Sequence, residues 1–139
     1  MPLKAYQSMN AYKLFMMDVG LLSALSELPA EAILEGNDIF VEFKGALTEQ
    51  YVLQQMISDT PYTPYYYGTD KGTFEQDFLI QKERNIVPIE VKAEGNLRSQ
   101  SLKAYCEKFH PNMAVRLSAL KYKEQDWMIN LPLYAVCNL

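Results

Sequence analysis

The sequence predicts a mixed α/β (α+β) domain in which a helix, three strands, a second helix and a fourth strand follow one another. Apolar residues recur at three- and four-residue spacing over residues 42–57, which is the period of a helix. Three runs rich in β-branched and aromatic residues come next, and such runs are typical of strands. A second helical pattern and another apolar run complete the order. We therefore expect a central mixed sheet with helices packed against its faces.

The three central strands lie between residues 65 and 92. Tyr65-Tyr66-Tyr67 forms the first, residues 76–80 the second and residues 86–92 the third. The polar turn Lys82-Glu83-Arg84-Asn85 between the last two is a hairpin signal. We expect the tyrosine run to pair with the second strand in antiparallel orientation. Tyrosine clusters also stack on nucleic-acid bases, but this pattern favours a strand within a sheet.

A crossover helix and a strand follow the third strand. Ser99 is a suitable N-cap, and His110-Pro111-Asn112 ends the helix. The apolar face of this helix is formed by residues at helical spacing, namely Leu102, Tyr105, Cys106 and Phe109. Residues 113–120 have the pattern of a strand. A strand, a crossover helix and a strand in this order predict a parallel pair with a right-handed connection.

The remaining segments carry weaker patterns and indicate no chemistry. They predict a strand at residues 13–17, short helices at 19–25 and 30–37 with a break at Gly36-Asn37, turns at 68–72, 94–96 and 121–126, and a last strand at 128–136 in which Pro132 indicates an edge position.

Length and composition predict one domain covering residues 1–139, with enough apolar content to bury a core. No apolar run reaches the roughly 18 residues of a membrane span, and no secretory leader opens the chain. Cys106 and Cys137 lack metal-ligand spacing, so reduced thiols in a cytoplasmic protein are the simplest interpretation. The net charge of -4 argues against a broad nucleic-acid-binding surface, because such surfaces are usually basic.

Charged side chains on the second and third strands form the candidate site. Because side chains alternate along a strand, Glu90 and Lys92 share one face, and the opposite face is apolar. If Asp77 lies across the hairpin from them, three charged groups converge and can bind a hard divalent cation. The alternative is that Glu-x-Lys forms the solvated face of the sheet, which is the commoner place for charged residues.

Glu49 is a further candidate ligand on the first helix. Its neighbours on the same side of the helix, within two turns, include the apolar residues Ala46, Val52, Leu53 and Met56. A carboxylate at the margin of a buried stripe is costly unless something pairs with it. Glu49 is then either an edge carboxylate that reaches water or a third ligand for the same cation as Asp77 and Glu90.

Several ordered segments carry a family resemblance, namely KLFMMDVGLL (residues 13–22), KGALTEQYVL (44–53), DFLI (77–80), PIEVK (88–92) and RSQSL (98–102). With this order of elements, the chain resembles the restriction-endonuclease-like (PD-(D/E)XK) nuclease fold. It is more closely similar to the nuclease-like domain of unknown function that follows an AAA-type ATPase module in many bacterial and archaeal proteins. This second resemblance extends over nearly the whole chain.

The resemblance implies a nuclease site that uses Mg²⁺ or Mn²⁺. Asp77 and Glu90 would hold the cation, and Glu49 would add to its ligands. Lys92 would orient the attacking water or stabilise negative charge on the phosphate. Nucleic acid is then the partner, with Arg98 and Lys103 as candidates for backbone phosphate contacts, although helix solubility alone is the simpler interpretation of Lys103.

Two departures from the family pattern bear on this expectation. The tyrosine run usually continues with Trp-Arg, whereas Gly68-Thr69 follows it here, and Glu75-Gln76-Asp77 stands where Glu-Val-Asp is common. No phosphate-binding Gly-x-x-x-x-Gly-Lys-Ser/Thr occurs, so we expect the ATPase module outside these residues. The alternative function is a catalytically inactive domain that binds DNA or protein as a regulatory module of an ATPase, and a pure protein-interaction domain is a third.

Overall fold

The computed structural model describes residues 2–35, 38–69, 74–93 and 98–139. Its helices are α1 (Val19–Leu25), α2 (Ala30–Glu35), α3 (Asp38–Asp59) and α4 (Gln100–Phe109). Its strands are β1 (Tyr65–Gly68), β2 (Glu75–Lys82), β3 (Asn85–Lys92), β4 (Val115–Ser118), β5 (Lys123–Glu124) and β6 (Ile129–Pro132). Short 3₁₀ helices lie at Leu3–Tyr6 and Leu133–Asn138. None of the helices in these ranges has the length and hydropathy that crossing a bilayer requires.

The strands form one mixed sheet in the order β1-β2-β3-β4-β6-β5. β1, β2 and β3 pair antiparallel, β4 lies parallel to both β3 and β6, and β5 pairs antiparallel with β6. The chain passes from β3 to β4 through α4, which confirms the predicted parallel pair with a crossover helix. The predicted mixed α/β order of helix, three strands, helix and strand is confirmed as well.

Helices cover both faces of the sheet because apolar side chains alternate along its central strands. Val52 and Met56 of α3 are fully buried and cluster with side chains of β2, β3 and β4, namely Phe78, Ile80, Val87, Ile89, Val91, Val115 and Leu117. On the opposite face, Tyr105 of α4 clusters with Leu79, and Leu102 clusters with Ala114 and Met128. We call these two sides the α3 face and the α4 face.

The hairpin between β2 and β3 is confirmed, with a tighter turn than the sequence predicts. Lys82 pairs with Asn85, so the turn itself contains only Glu83 and Arg84. Glu83 adopts the left-handed conformation, with φ 57°. A positive φ at this position is what lets a two-residue loop match the twist of the flanking strands.

The predicted strand at residues 13–17 is wrong, because these residues form neither helix nor strand. They run beside α3, where the side chain of Gln50 takes the place of a neighbouring strand. Gln50 Oε1 accepts the Met16 N–H at 2.9 Å, and Gln50 Nε2 donates to the Met16 carbonyl at 2.9 Å. Phe15 packs into the core of the α3 face. The segment therefore needs no neighbouring strand: Gln50 pairs with the backbone of Met16, and Phe15 is packed against the core.

The predictions at the C-terminal end are wrong in part. The predicted turn at residues 121–126 contains β5, which pairs with β6 at Lys123↔Asn130. β6 ends at Pro132, and a 3₁₀ helix replaces the rest of the predicted strand. The edge strand is β5 rather than β6. β5 pairs with Ile129 and Asn130 of β6, and Pro132 lies beyond them. The missing N–H of the proline therefore interrupts no pairing with β5.

The helix predicted at residues 19–25 is confirmed as α1, and the one predicted at 30–37 is confirmed over residues 30–35 as α2. Gly68 ends β1, and the Thr69 N–H donates to the Phe74 carbonyl at 3.1 Å. The remainder of the predicted turn at residues 68–72, the predicted break at Gly36-Asn37 and the predicted turn at residues 94–96 lie outside the described residues.

Candidate functional site

A β-bulge in β2 sets the position of Asp77. β1 and β2 pair at Tyr65↔Leu79 and again at Tyr67↔Gln76, so β2 has one more residue than β1 between these two pairs. A bulge of this kind bends its strand and redirects a side chain, and bulges are common next to active sites. Asp77 is one of the two β2 residues between the pairs.

At the bulge, two side chains of β2 bond to the backbone of β3 in place of backbone pairing. The regular register of β2 and β3 runs as far as Phe78↔Ile89. Beyond it, the Val91 N–H donates to Asp77 Oδ2 at 2.7 Å, and Gln76 Nε2 donates to the Ile89 carbonyl at 2.7 Å. The sheet therefore holds Asp77 and Gln76 in fixed orientations against β3.

Asp77 is a carboxylic acid in surroundings that oppose its ionisation. Burial raises the pKa of Asp77 from its ordinary value of 3.8 to about 6. The hydrogen bond from Val91 opposes this shift, the negative charge of Glu49 adds to it, Lys13 opposes it, and Glu90 adds to it again. Desolvation affects the pKa of Asp77 more than the hydrogen bond from Val91 does. A positive ion beside Asp77 would favour its charged form.

Glu90 and Lys92 project together, as the alternation along β3 predicts. Val87, Ile89 and Val91 lie in the core of the α3 face, and Glu90 lies on the α4 face with only 3% of its surface exposed. Lys92 Nζ is 3.1 Å from Glu90 Oε1. Glu90 Oε2 is buried and has no hydrogen-bond partner among the described residues. The alternative of a solvated face is therefore wrong for Glu90.

A row of buried polar side chains continues from Glu90 across the sheet. Glu90 pairs with Arg116 of β4, and Arg116 pairs with Asn130 of β6. Arg116, which is 3% exposed, donates from Nε to Asn130 Oδ1 at 2.8 Å and from Nη1 to Ser99 Oγ at 3.5 Å. Ser118 Oγ also donates to Asn130 Oδ1, at 2.8 Å. We call Glu90, Arg116, Asn130, Ser118 and Ser99 the polar row.

The polar row gives Glu90 a cationic neighbour. Burial lowers the pKa of Arg116, and the nearby Glu90 carboxylate opposes that shift. A guanidinium group beside a buried carboxylate favours its ionised form. Ser99 precedes α4 as predicted, but its hydroxyl accepts from Arg116 and makes no capping bond to the helix. Sequence reasoning missed Arg116, although a single arginine within the apolar run at residues 113–120 was a usable signal.

Glu49 pairs with a residue that the sequence did not single out. Lys13 Nζ lies 3.6 Å from Glu49 Oε2 and also contacts the carboxylate of Glu75. The same ammonium group lies 5.7 Å from the centroid of the Tyr66 ring. Within the described ranges, no three His, Cys, Asp or Glu side chains are arranged to hold a metal ion. The role of Glu49 as a third ligand beside Asp77 and Glu90 stays a prediction.

Arg98 and Lys103 lie at the N-terminal end of α4. Arg98 is exposed and directly precedes Ser99. Lys103 is exposed on the first turn of the helix, and its backbone N–H donates to the Ser99 carbonyl at 2.9 Å. The contact between Ser99 and Arg116 ties this end of α4 to the polar row. Phosphate contacts from Arg98 and Lys103 stay a prediction.

The fold and the site define a class of protein: a mixed α/β domain with a buried Glu-x-Lys pair beside a desolvated aspartate. Residues 44–135 match the family described as Domain of unknown function (DUF4143), and because the match covers more than half of the chain, the chain belongs to that family. The matched residues include every strand of the sheet described above. No curated protein matches the chain, and no solved structure does.

Proposed function

We propose that this chain is a metal-dependent nuclease domain that hydrolyses phosphodiester bonds of nucleic acid. The observation that carries the proposal is the buried Glu90 with Lys92 at 3.1 Å, next to an Asp77 whose pKa is raised to about 6. Desolvated charged groups of this kind oppose folding, and they concentrate where chemistry requires them.

The donor atoms at the site fit Mg²⁺ or Mn²⁺. Both ions take hard oxygen ligands and keep several waters, and Asp77 and Glu90 supply carboxylate oxygens. Glu90 Oε2 lacks a hydrogen-bond partner within the described part of the chain, and Asp77 is opposed by two other carboxylates. When bound, the cation supplies polarisation of a phosphoryl oxygen and a more acidic bound water.

The remaining charged residues support this chemistry in separate ways. Lys92 is placed to stabilise negative charge that develops on the phosphate. Asn130 orients Arg116, and Arg116 places a positive charge beside Glu90. Arg98 and Lys103 contact backbone phosphates at the start of α4.

The sequence resemblance supports two further parts of the proposal. The order of helix, three strands, helix and strand is that of a restriction-endonuclease-like (PD-(D/E)XK) core. The same resemblance supports an AAA-type ATPase module, in the same or a longer chain, as a partner in the cytoplasm.

Cleavage of labelled single- and double-stranded DNA and RNA tests the proposal. We expect cleavage with Mg²⁺ or Mn²⁺ that chelator abolishes and that Lys92→Ala lowers by about 100-fold or more. Lys82→Ala, at the far end of the same hairpin, is the matched control and should cleave as the wild type does. Absence of cleavage on all four substrates, or equal cleavage by wild type and Lys92→Ala, would overturn the proposal.

A catalytically inactive module that binds DNA or protein for an ATPase is the second candidate. Lys13 already neutralises Glu49 and Glu75, which leaves fewer carboxylates for a cation. The N-terminal segment also exposes large apolar side chains, a feature typical of protein contacts, namely Met9, Tyr12, Leu14, Met17, Leu25 and Leu34. This function predicts binding that survives Lys92→Ala, without any metal-dependent cleavage.

A further inference from the structure

Two buried side-chain oxygens have no hydrogen-bond partner among the described residues: Gln76 Oε1 and Glu90 Oε2. Gln76 is 0% exposed and Glu90 is 3% exposed, so bulk water does not solvate either oxygen. Buried polar atoms in proteins are nearly always paired, and each exception calls for an explanation. Gln76 and Glu90 lie on neighbouring strands, both beside Asp77, so these two oxygens call for one common explanation.

The two oxygens lie on the same side of the sheet. Gln76 is paired with Tyr67, whose ring packs against that of Tyr105 on α4, with 5.7 Å between the centroids. Glu90 lies on this α4 face because Ile89 points to the α3 face. The bond from Gln76 Nε2 to the Ile89 carbonyl, at 2.7 Å, holds the amide against β3 next to Glu90.

The same bond decides which end of the amide is available. The amino group of Gln76 donates to the Ile89 carbonyl, so the side-chain oxygen is the atom left without a partner among the described residues. That oxygen can only accept, and a neutral amide oxygen is a recognised ligand of hard divalent cations. A carboxylate oxygen and an amide oxygen are both acceptors and do not bond to each other, but both bind a cation.

We propose that Gln76 Oε1 is a protein ligand, with Glu90 and Asp77, of the divalent cation at this site. This inference rests on the proposed function and deepens it by naming a ligand outside the acidic set. It also explains how a cation binds although Lys13 holds Glu49. Two carboxylates, one amide oxygen and water complete an oxygen shell without a third acidic residue.

Direct binding of Mn²⁺ to the chelator-treated protein tests this proposal, with free Mn²⁺ measured by electron paramagnetic resonance. Gln76→Met keeps the length of the side chain and removes the oxygen, and we expect it to weaken Mn²⁺ binding by about tenfold. Gln76→Glu also loses the bond to the Ile89 carbonyl but keeps a ligand oxygen, so we expect it to bind Mn²⁺ more tightly than Gln76→Met. Gln81→Met, on the same strand near the hairpin turn, is the control and should leave the affinity unchanged.

The outcomes separate this inference from the proposed function. Equal Mn²⁺ affinity of wild type and Gln76→Met overturns the role of Gln76 and leaves the cation site intact. No Mn²⁺ binding by the wild type overturns both. Weaker binding by Gln76→Met, together with no cleavage of nucleic acid, upholds the inference and removes only the catalytic function. If Gln76→Met does not fold, the Mn²⁺ affinity of Gln76→Glu tests the role of Gln76 in its place.

Discussion

Asp77 makes the stability of the metal-free protein depend on pH. Burial raises the pKa of Asp77 to about 6 in the folded chain, whereas an aspartate in an unfolded chain titrates near 4. The folded state therefore binds this proton more tightly than the unfolded state does. The contribution of Asp77 to stability is largest below about pH 4 and is lost as the pH rises through about 6.

Replacement of Asp77 by asparagine isolates this contribution. The amide oxygen of Asn still accepts the Val91 N–H, but the position no longer carries a charge. In chelator near neutral pH, we expect Asp77→Asn to be more stable than the wild type by about 2 to 3 kcal/mol, and the advantage should fade towards about pH 4. Urea unfolding of both proteins across this pH range measures the difference. A constant difference at every pH contradicts the assignment.

Glu90 differs from Asp77 because a buried arginine lies beside it. Arg116 lies in the next strand at the same level, and Asn130 orients the guanidinium group. A buried ion pair of this kind adds little net stability, since desolvation of both partners offsets their attraction. Its effect is to place a positive charge beside Glu90, whereas burial raises the pKa of the neighbouring Asp77 to about 6.

At the level of elements, the segment at residues 13–17 is held by one side chain of α3. Gln50 is 1% exposed and satisfies both backbone groups of Met16. This contact also positions Lys13, which neutralises Glu49 and Glu75. Loss of the contact should therefore loosen the segment and release the carboxylate of Glu49.

The substitution Gln50→Leu tests this contact. It leaves the N–H and carbonyl of Met16 unpaired, so we expect a loss of about 2 kcal/mol in stability and faster hydrogen exchange at the Met16 amide. Gln54→Leu is the matched control, because Gln54 accepts only the Val19 N–H, at 3.1 Å, on the same helix. The control should speed exchange at Val19 and leave Met16 protected. Protection of Met16 in Gln50→Leu would show that core packing of Phe15 holds the segment.

The sequence predicts the elements well where their signals are local. The period of α3, the hairpin at Glu83 and the alternation that joins Glu90 to Lys92 all depend on residues near one another in the chain. The features that the sequence missed depend on contacts between distant segments. Lys13 meets Glu49 only after the N-terminal segment packs on α3, and the bulge at Asp77 appears only when β1 pairs with β2.

The candidate site shows the same division between local and distant signals. Alternation predicts that Glu90 and Lys92 share a face, but it does not predict that the face is covered. Burial of Glu90 depends on α4 and on Arg116, which come later in the chain. Gln76 is adjacent to Asp77, yet its proposed role follows from an oxygen without a partner among the described residues, which only the packed sheet reveals.

The charge of the whole molecule limits how the proposed nuclease domain would bind nucleic acid. With a net charge of -4, the chain as a whole does not attract a polyanion. On the proposed function, phosphate contacts come mainly from Lys92 at the end of β3 and from Arg98 and Lys103 at the start of α4. Few phosphate contacts mean a shallow dependence of affinity on salt.

The salt dependence of nucleic-acid binding therefore tests the placement of these cations. In chelator, where no cleavage occurs, log K should fall with log salt concentration with a slope of only about 1 to 3. Arg98→Ala and Lys103→Ala should each lower the slope by about 0.7 to 0.9, because each variant loses one phosphate contact. Lys123→Ala, an exposed lysine on the edge strand β5, is the matched control and should leave the slope unchanged. If all three variants lower the slope equally, binding is a diffuse attraction, and if only Arg98→Ala does so, Lys103 serves only to keep α4 in solvent.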